Sequence, residues 1–290
     1  MGSIKEYQRK ISSLKNTRKI TGSMKMISSI KLQRMAKRRE AMLPFCEANR
    51  KLLPLFGSLG SEHSLYRQGH EHPSVIEYLV VTSDRGMCGR FNTNTIRAMH
   101  AHSAGKETPD RKIVASCIGQ KGYAVLKRHG ETILHNYRDC TAHPSFDSVG
   151  KAANDLLGEF ISGTVHEVWL VYSKRITSFS EEPVVERLLP FPVPASDTAE
   201  YADADSILLE DTPEVLVQQY AALMVQGMLY EALVETGVAE HAARMSAMDN
   251  ASSNCDRMTS NYVQLRNRAR QAAITTELNE IVTGKEALQS

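Results

Sequence analysis

About seventy residues toward the end of this chain read as one helix. From Val217 through Tyr220, Met224, Met228, Val234, Val238, Ala242, Met245, Met248, Ala251, Met258, Leu265, Ala272 and Leu278 to Ile281, apolar or small residues return at helical spacing. Asp211-Thr212-Pro213-Glu214 supplies the start: a capping side chain, a first-turn proline and an acid at the positive end of the helix dipole. Gly284 is the expected stop. At ~1.5 Å per residue this is about 105 Å of helix, more than a globular core can bury. Gly227 and Gly237 are expected to loosen it locally.

The chain opens on a second stripe. Ile4, Tyr7, Ile11, Leu14, Ile20, Met24, Ile27, Ile30 and Met35 recur at three- and four-residue steps, which predicts one helix from Ser3 to Leu53. Its length is about 75 Å at ~1.5 Å per residue. Pro44 is expected to kink it, and Pro54 with Gly57 to end it. Two helices of this length separated by a compact middle most simply pair with each other, antiparallel, as a coiled coil. The stripe drifts off strict heptads, so an irregular coil is expected. Counted outward from the middle, the second helix is longer by about twenty residues, and its tip should overshoot its partner. That tip carries Ala269, Ala272, Ala273, Ile274, Leu278 and Ile281, a stripe that faces water unless other protein wraps it.

Between the helices, strands are expected near Tyr78–Ser83, Lys112–Ile118, His166–Ser173 and Val184–Leu189. Helices are expected near Asn92–His102, Gln120–Arg128 and Val149–Ile161. That order predicts βαβ units on a parallel, Rossmann-like sheet, and Glu200–Glu210 a polar linker back to the last helix. The fold class is therefore α/β with a long antiparallel coiled coil. The expected domains are 1–54, an N-terminal helix; 55–210, the sheet domain; and 211–290, a C-terminal helix.

Composition narrows the function classes. Charged residues make up 23% and hydrophobic ones 42%, enough apolar mass for a core. Cys46, Cys88, Cys117, Cys140 and Cys255 are scattered without a CxxC pair, which predicts reduced, bland thiols. No apolar run reaches the ~20 residues of a spanning helix, and the first ten residues are charged where a signal peptide is apolar. Direct membrane insertion is therefore not expected. Net charge is +2, yet Met1–Leu53 holds fourteen Lys and Arg against Glu6, Glu40 and Glu47. That asymmetry points to an acidic partner, a nucleic acid or a lipid surface.

Candidate sites are few. Val80 to Asn92 reads strand, turn, helix, and Gly86 and Gly89 could bring backbone amides to a phosphate. The glycine spacing fails both the dinucleotide and the P-loop fingerprints, so the turn is read as structural. His70 with His72 and His100 with His102 lack a third ligand at metal spacing and are read as surface histidines. Asp249 and Asp256 are read as solvent-facing, and Ala242–Ala247 as close helix packing. Two rivals follow from these features. A Rossmann enzyme should bind a nucleotide through the Gly86/Gly89 loop, and a coiled-coil nucleic-acid binder should show salt-steep affinity for DNA.

Three segments carry a resemblance: Ile11 to Met26 (ISSLKNTRKITGSMKM), Ser83 to Asn92 (SDRGMCGRFN) and Ala242 to Val282, above all ARMSAM and NRARQAAIT. Glu167 to Tyr172 and Glu182-Pro183 extend it, so the likeness runs from near residue 4 to near 284. Together they resemble the gamma subunits of F-type ATP synthases. The resemblance implies a central-stalk rotor subunit that couples proton flow to ATP synthesis by turning inside the alpha3beta3 ring. It implies contacts with alpha, beta, epsilon and the c-ring, none with nucleic acid, and no catalytic residue, metal or cofactor. It places the chain peripherally, on the cytoplasmic face of a bacterial inner membrane or, alternatively, on the matrix side of the mitochondrial one. The absence of a transit peptide favours the bacterial setting.

Residue by residue, the resemblance sets Met24 where the family's shaft meets an acidic lever of beta, and Arg270 and Gln271 where it meets a beta loop. The basic ridge of Lys10, Lys19 and Lys25 is expected to face those levers. The sequence departs from the family at Arg90 and Phe91, where Gly and Leu are common, and at Gly22-Ser23, where bulkier residues are frequent.

Overall fold

The computed structural model describes residues 3–59, 74–106, 110–141, 144–177, 180–192 and 212–289. The expected linker Glu200–Glu210, the capping Asp211 and the pair His70 and His72 lie outside the described residues. The elements in chain order are α1 (Ile4–Leu59), β1 (Val75–Val81), α2 (Phe91–Ala104), β2 (Lys112–Ile118), α3 (Gln120–His129), β3 (Ile133–Tyr137), a 3-10 turn (Asp147–Val149), α4 (Gly150–Ile161), β4 (Glu167–Arg175), β5 (Glu181–Leu189) and α5 (Pro213–Gln289). Two compact units result, one of Met1–Ser28 with Met245–Ser290, the other of Ser29–Arg244.

In the larger unit the sheet order is β3-β2-β1-β4-β5. β1 runs parallel to β2 and β4, and β2 parallel to β3. The parallel expectation fails for β5, which is antiparallel to β4. Only residues 176–180 join them, and a parallel return needs a crossover of about a dozen residues or more.

Alternation along β1 sorts the core into two layers. Ile76, Tyr78 and Val80 face Ile96 and Met99 of α2 and Leu126 of α3. Leu79 and Val81 face the opposite way, toward Ala152, Leu156 and Phe160 of α4 and a row on α5 from Val217 to Leu233. With both faces covered, β1 reads as an apolar run, VIEYLVV, broken only by Glu77.

Leu53 of α1 is buried in that second layer, and α1 runs through Pro44 and Pro54 to Leu59 instead of ending at Pro54 with Gly57. A proline inside a helix costs about 3 kcal/mol. Burial of Met42, Cys46, Asn49 and Leu53 on the same segment offsets it. Gly237 does not loosen α5; a Cβ there would run into the Met35 side chain, so the glycine lets α1 and α5 approach. Gly119, at φ +100°, turns the chain after β2 where a Cβ would strike the Thr82 carbonyl.

Glu77 of β1 is fully buried. It accepts a hydrogen bond from Ser116 at 2.5 Å, and the neighbouring Glu159 meets His135 Nε2 at 2.6 Å. Burial, with the Glu159 carboxylate adding to it, pushes the Glu77 carboxyl up to about 7. The folded state therefore holds a proton that the unfolded chain releases near 4.5, and stability from this group falls as pH rises between those values. Glu77→Gln is expected to lie close to the parent at pH 5 and to gain on it by about 2–3 kcal/mol at pH 8, read from urea unfolding at both values.

Candidate partner-binding surface

The smaller unit is a pair of helical segments, and its cross-contacts set the direction. Tyr7 meets Tyr262 with ring centroids 6.2 Å apart, and Arg18 Nε meets Asp256 Oδ1 at 2.5 Å. Thr21 and Ser252 share a hydroxyl hydrogen bond of 2.7 Å, and Lys25 Nζ meets Asp249 Oδ1 at 2.6 Å. Partner numbers fall as α1 numbers rise, so the segments are antiparallel. Ile11, Thr21, Ser28, Met248 and Cys255 are buried along the seam. The flanking ion pairs are half exposed, so they set register more than stability.

Asp249 and Asp256 do face solvent, but each also holds a cation of α1. The signal was present: the acids are one heptad apart, as are Arg18 and Lys25. On the basic ridge, Lys10 is tied to Glu6 at 3.0 Å and lies 5.5 Å over the Tyr262 ring, while Lys19 is exposed.

Beyond Tyr262, α5 continues to Gln289, whereas α1 has only the turn from Ile4 to set beside it. The result is an apolar tip in water: Ile274 is 47% exposed, Leu278 57%, Ile281 68% and Val282 55%. Arg270 and Gln271 are exposed at the base of this tip. Met24 is half-buried, and Lys25 is held by Asp249. The four expected contact residues thus form two clusters, since Asp249 and Arg270 are separated by about 30 Å at ~1.5 Å per residue.

In the larger unit, the 83–92 turn is locked from both sides. Asn92 Oδ1 accepts from the Ser83 amide at 3.0 Å. Arg244, a residue the sequence reading passed over as part of a small-residue run, is buried and donates to the carbonyls of Arg85 at 3.0 Å and Gly86 at 3.2 Å. Its charge is balanced by Glu240 at 2.6 Å. The turn therefore aims carbonyls at a guanidinium, the opposite polarity to an amide cradle for phosphate. Ala239 and Ala243 are small because Phe91 and Cys88 pack against them, which accounts for Phe91 as a departure.

Other candidates also find places. His102 accepts or donates at Tyr78 Oη, 2.9 Å away, and its ring lies 4.3 Å from Trp169, while His100 stacks on His129 at 5.7 Å. All five cysteines are free and buried, with burial pushing Cys46 and Cys117 up to about 12. Among the described residues no His, Cys, Asp and Glu cluster of metal-binding size occurs, and no helix is long and apolar enough to cross a membrane.

Comparison with known proteins agrees with this architecture. A family model described as ATP synthase matches residues 3–288. The ATP synthase gamma chain of Desulfotalea psychrophila is 34% identical over 100% of both chains. That of Actinobacillus pleuropneumoniae serotype 5b is 31% identical over 99% of this chain and 100% of the relative. Among solved structures, a chain of the Euglena gracilis mitochondrial ATP synthase, from an assembly of OSCP, F1 and c-ring, shares the fold with TM-score 0.68 and 18% identity, covering 98% of this chain and 94% of that one. A chain from the Tetrahymena thermophila central stalk and c-ring gives TM-score 0.61 at 22% identity, covering 80% and 99%. Matched end to end by gamma chains above 30% identity, the chain belongs to the ATP synthase gamma-chain family.

Proposed function

We propose that this chain is the turning central stalk of a proton-driven ATP synthase. The observation that carries the reading is the apolar tip of α5, left in water by the chain itself, in a protein matched over its full length by gamma chains. Such a tip is stable in an assembly only when other subunits sleeve it. In this reading the tip and the α1/α5 pair enter the alpha3beta3 ring, and the sheet domain contacts epsilon and the c-ring. The chain itself carries no catalytic group. Rotation presents different contacts to each beta subunit in turn, and a shift between nucleotide affinities requires such differential contact. The protein works as a peripheral subunit on the cytoplasmic face of a bacterial inner membrane, in line with the bacterial relatives.

Met24 and Lys25 on α1 and Arg270 and Gln271 on α5 are the residues assigned to beta. The exposure of Arg270 and Gln271 supports this, because among the described residues nothing engages their side-chain donors, which suits charge-assisted hydrogen bonds inside a dry sleeve. Arg270→Ala combined with Gln271→Ala is expected to reduce ATP synthesis in the reconstituted complex by about tenfold, the loss of roughly 1.4 kcal/mol. Unchanged synthesis and unchanged ATP-driven rotation would remove the assignment. Pull-down from native membranes should recover alpha, beta and epsilon; recovery of none of them would overturn the stalk reading itself.

A further inference from the structure

Two depressions of the larger unit share Arg38 in their walls. The first, about 400 Å³, is walled by Met42, Phe45, Phe146, Leu223 and Tyr230. Phe146 stands edge-on to Phe45, with centroids 5.7 Å apart, and to Tyr230 at 6.0 Å. Phe45 and Leu223 remain 38% and 40% exposed, so the box is open. The second, about 430 Å³, also includes Arg38 and is rimmed by Lys31, Arg34 and Arg85.

The acids of that second cleft are engaged within the protein. Asp84 accepts from the Gln120 amide at 3.0 Å and from the Thr141 hydroxyl, and Glu240 is paired with Arg244 at 2.6 Å. His241 adds no charge at neutral pH, because burial and the neighbouring Arg244 hold it down to about 4. A cationic surplus therefore adjoins an aromatic box. Arg38 gives one N–H to the Pro144 carbonyl at 2.9 Å, and a guanidinium has five donors to place.

We propose that this paired depression binds an amphipathic anion: one apolar chain or ring in the Phe45–Phe146–Tyr230 box, and a phosphate-type head on Arg38 and Arg34. An inorganic anion would leave the box wet, and a neutral hydrocarbon would leave the cations unneutralised. A cavity of this volume with aromatic walls and a few convergent polar groups has the form of a small-molecule site. Guanidinium groups favour phosphate through bidentate hydrogen bonds.

Calorimetric titration of the full chain with dodecyl phosphate, kept below its micellar concentration, tests this. Saturable binding of one molecule per chain is expected, with dodecanol and inorganic phosphate each at least tenfold weaker. Leu223→Asp and Arg34→Glu, both at exposed positions, should each weaken dodecyl phosphate at least tenfold, while Leu278→Ser in the α5 tip leaves it unchanged. Equal affinity in the parent and the Arg34→Glu variant, equal affinity for dodecanol, or no saturable binding would overturn the proposal. These outcomes do not bear on assembly with alpha and beta, so the site and the stalk reading fail separately.

Discussion

Arg39→Met is expected to lower the unfolding free energy by about 3 kcal/mol, the low end for breaking a buried ion pair. Arg39 of α1 meets Glu235 of α5 at 2.5 Å; the Glu235 side chain is 2% exposed and the Arg39 side chain 37%. Without the guanidinium, the carboxylate stays buried with no counter-charge, and its Oε2 already lacks a hydrogen-bond partner among the described residues. The partial exposure of Arg39 keeps the cost from reaching the upper end. Replacing both residues, Arg39→Met with Glu235→Met, should restore most of the loss, since two apolar groups of similar shape leave nothing unpaired. Urea unfolding of the three proteins decides it: a double variant as unstable as the single one would show that packing, not the orphaned charge, sets the cost.

Leu278→Glu combined with Ile281→Glu should separate assembly from folding. Both side chains face water in the free chain, at 57% and 68% exposure, so its melting temperature should not move. Burying the exposed 57% and 68% of these two side chains in a sleeve is worth about 2–4 kcal/mol, at ~1.5–3 for a whole side chain. Their loss should weaken assembly with alpha and beta by on the order of a hundredfold. Titration of the variant into alpha and beta subunits reads this directly. Parent-like assembly would mean that the tip is not enclosed.

The sequence made the long end helices legible because their apolar spacing persists over many turns, and no other period competes with it. β3 went unread because ILHNY is five residues of an edge strand, half-buried, with His135 and Asn136 where an apolar run would be expected. The antiparallel β5 could have been deduced from the brevity of the link after β4. Pro54 misled because the local cost of a proline does not by itself stop a helix, and α1 runs on to Leu59. At the site, the exposed tip followed from helix length, whereas Arg270 and Gln271 came only from the family resemblance. The clamp of Arg244 on two carbonyls did not, because it joins residues 158 and 159 positions apart and no local pattern records it.

Val217, Met224, Val225, Leu229 and Leu233 of α5 are sunk in the same apolar layer as β1, β4 and α4. To swivel this stretch half a turn about its own axis would bring those five side chains into water, at a cost on the order of 10 kcal/mol from ~1.5–3 for each. Thermal agitation, about 0.6 kcal/mol, cannot supply that. This segment is therefore keyed to the sheet, and torque reaching either one is delivered to the other without slip.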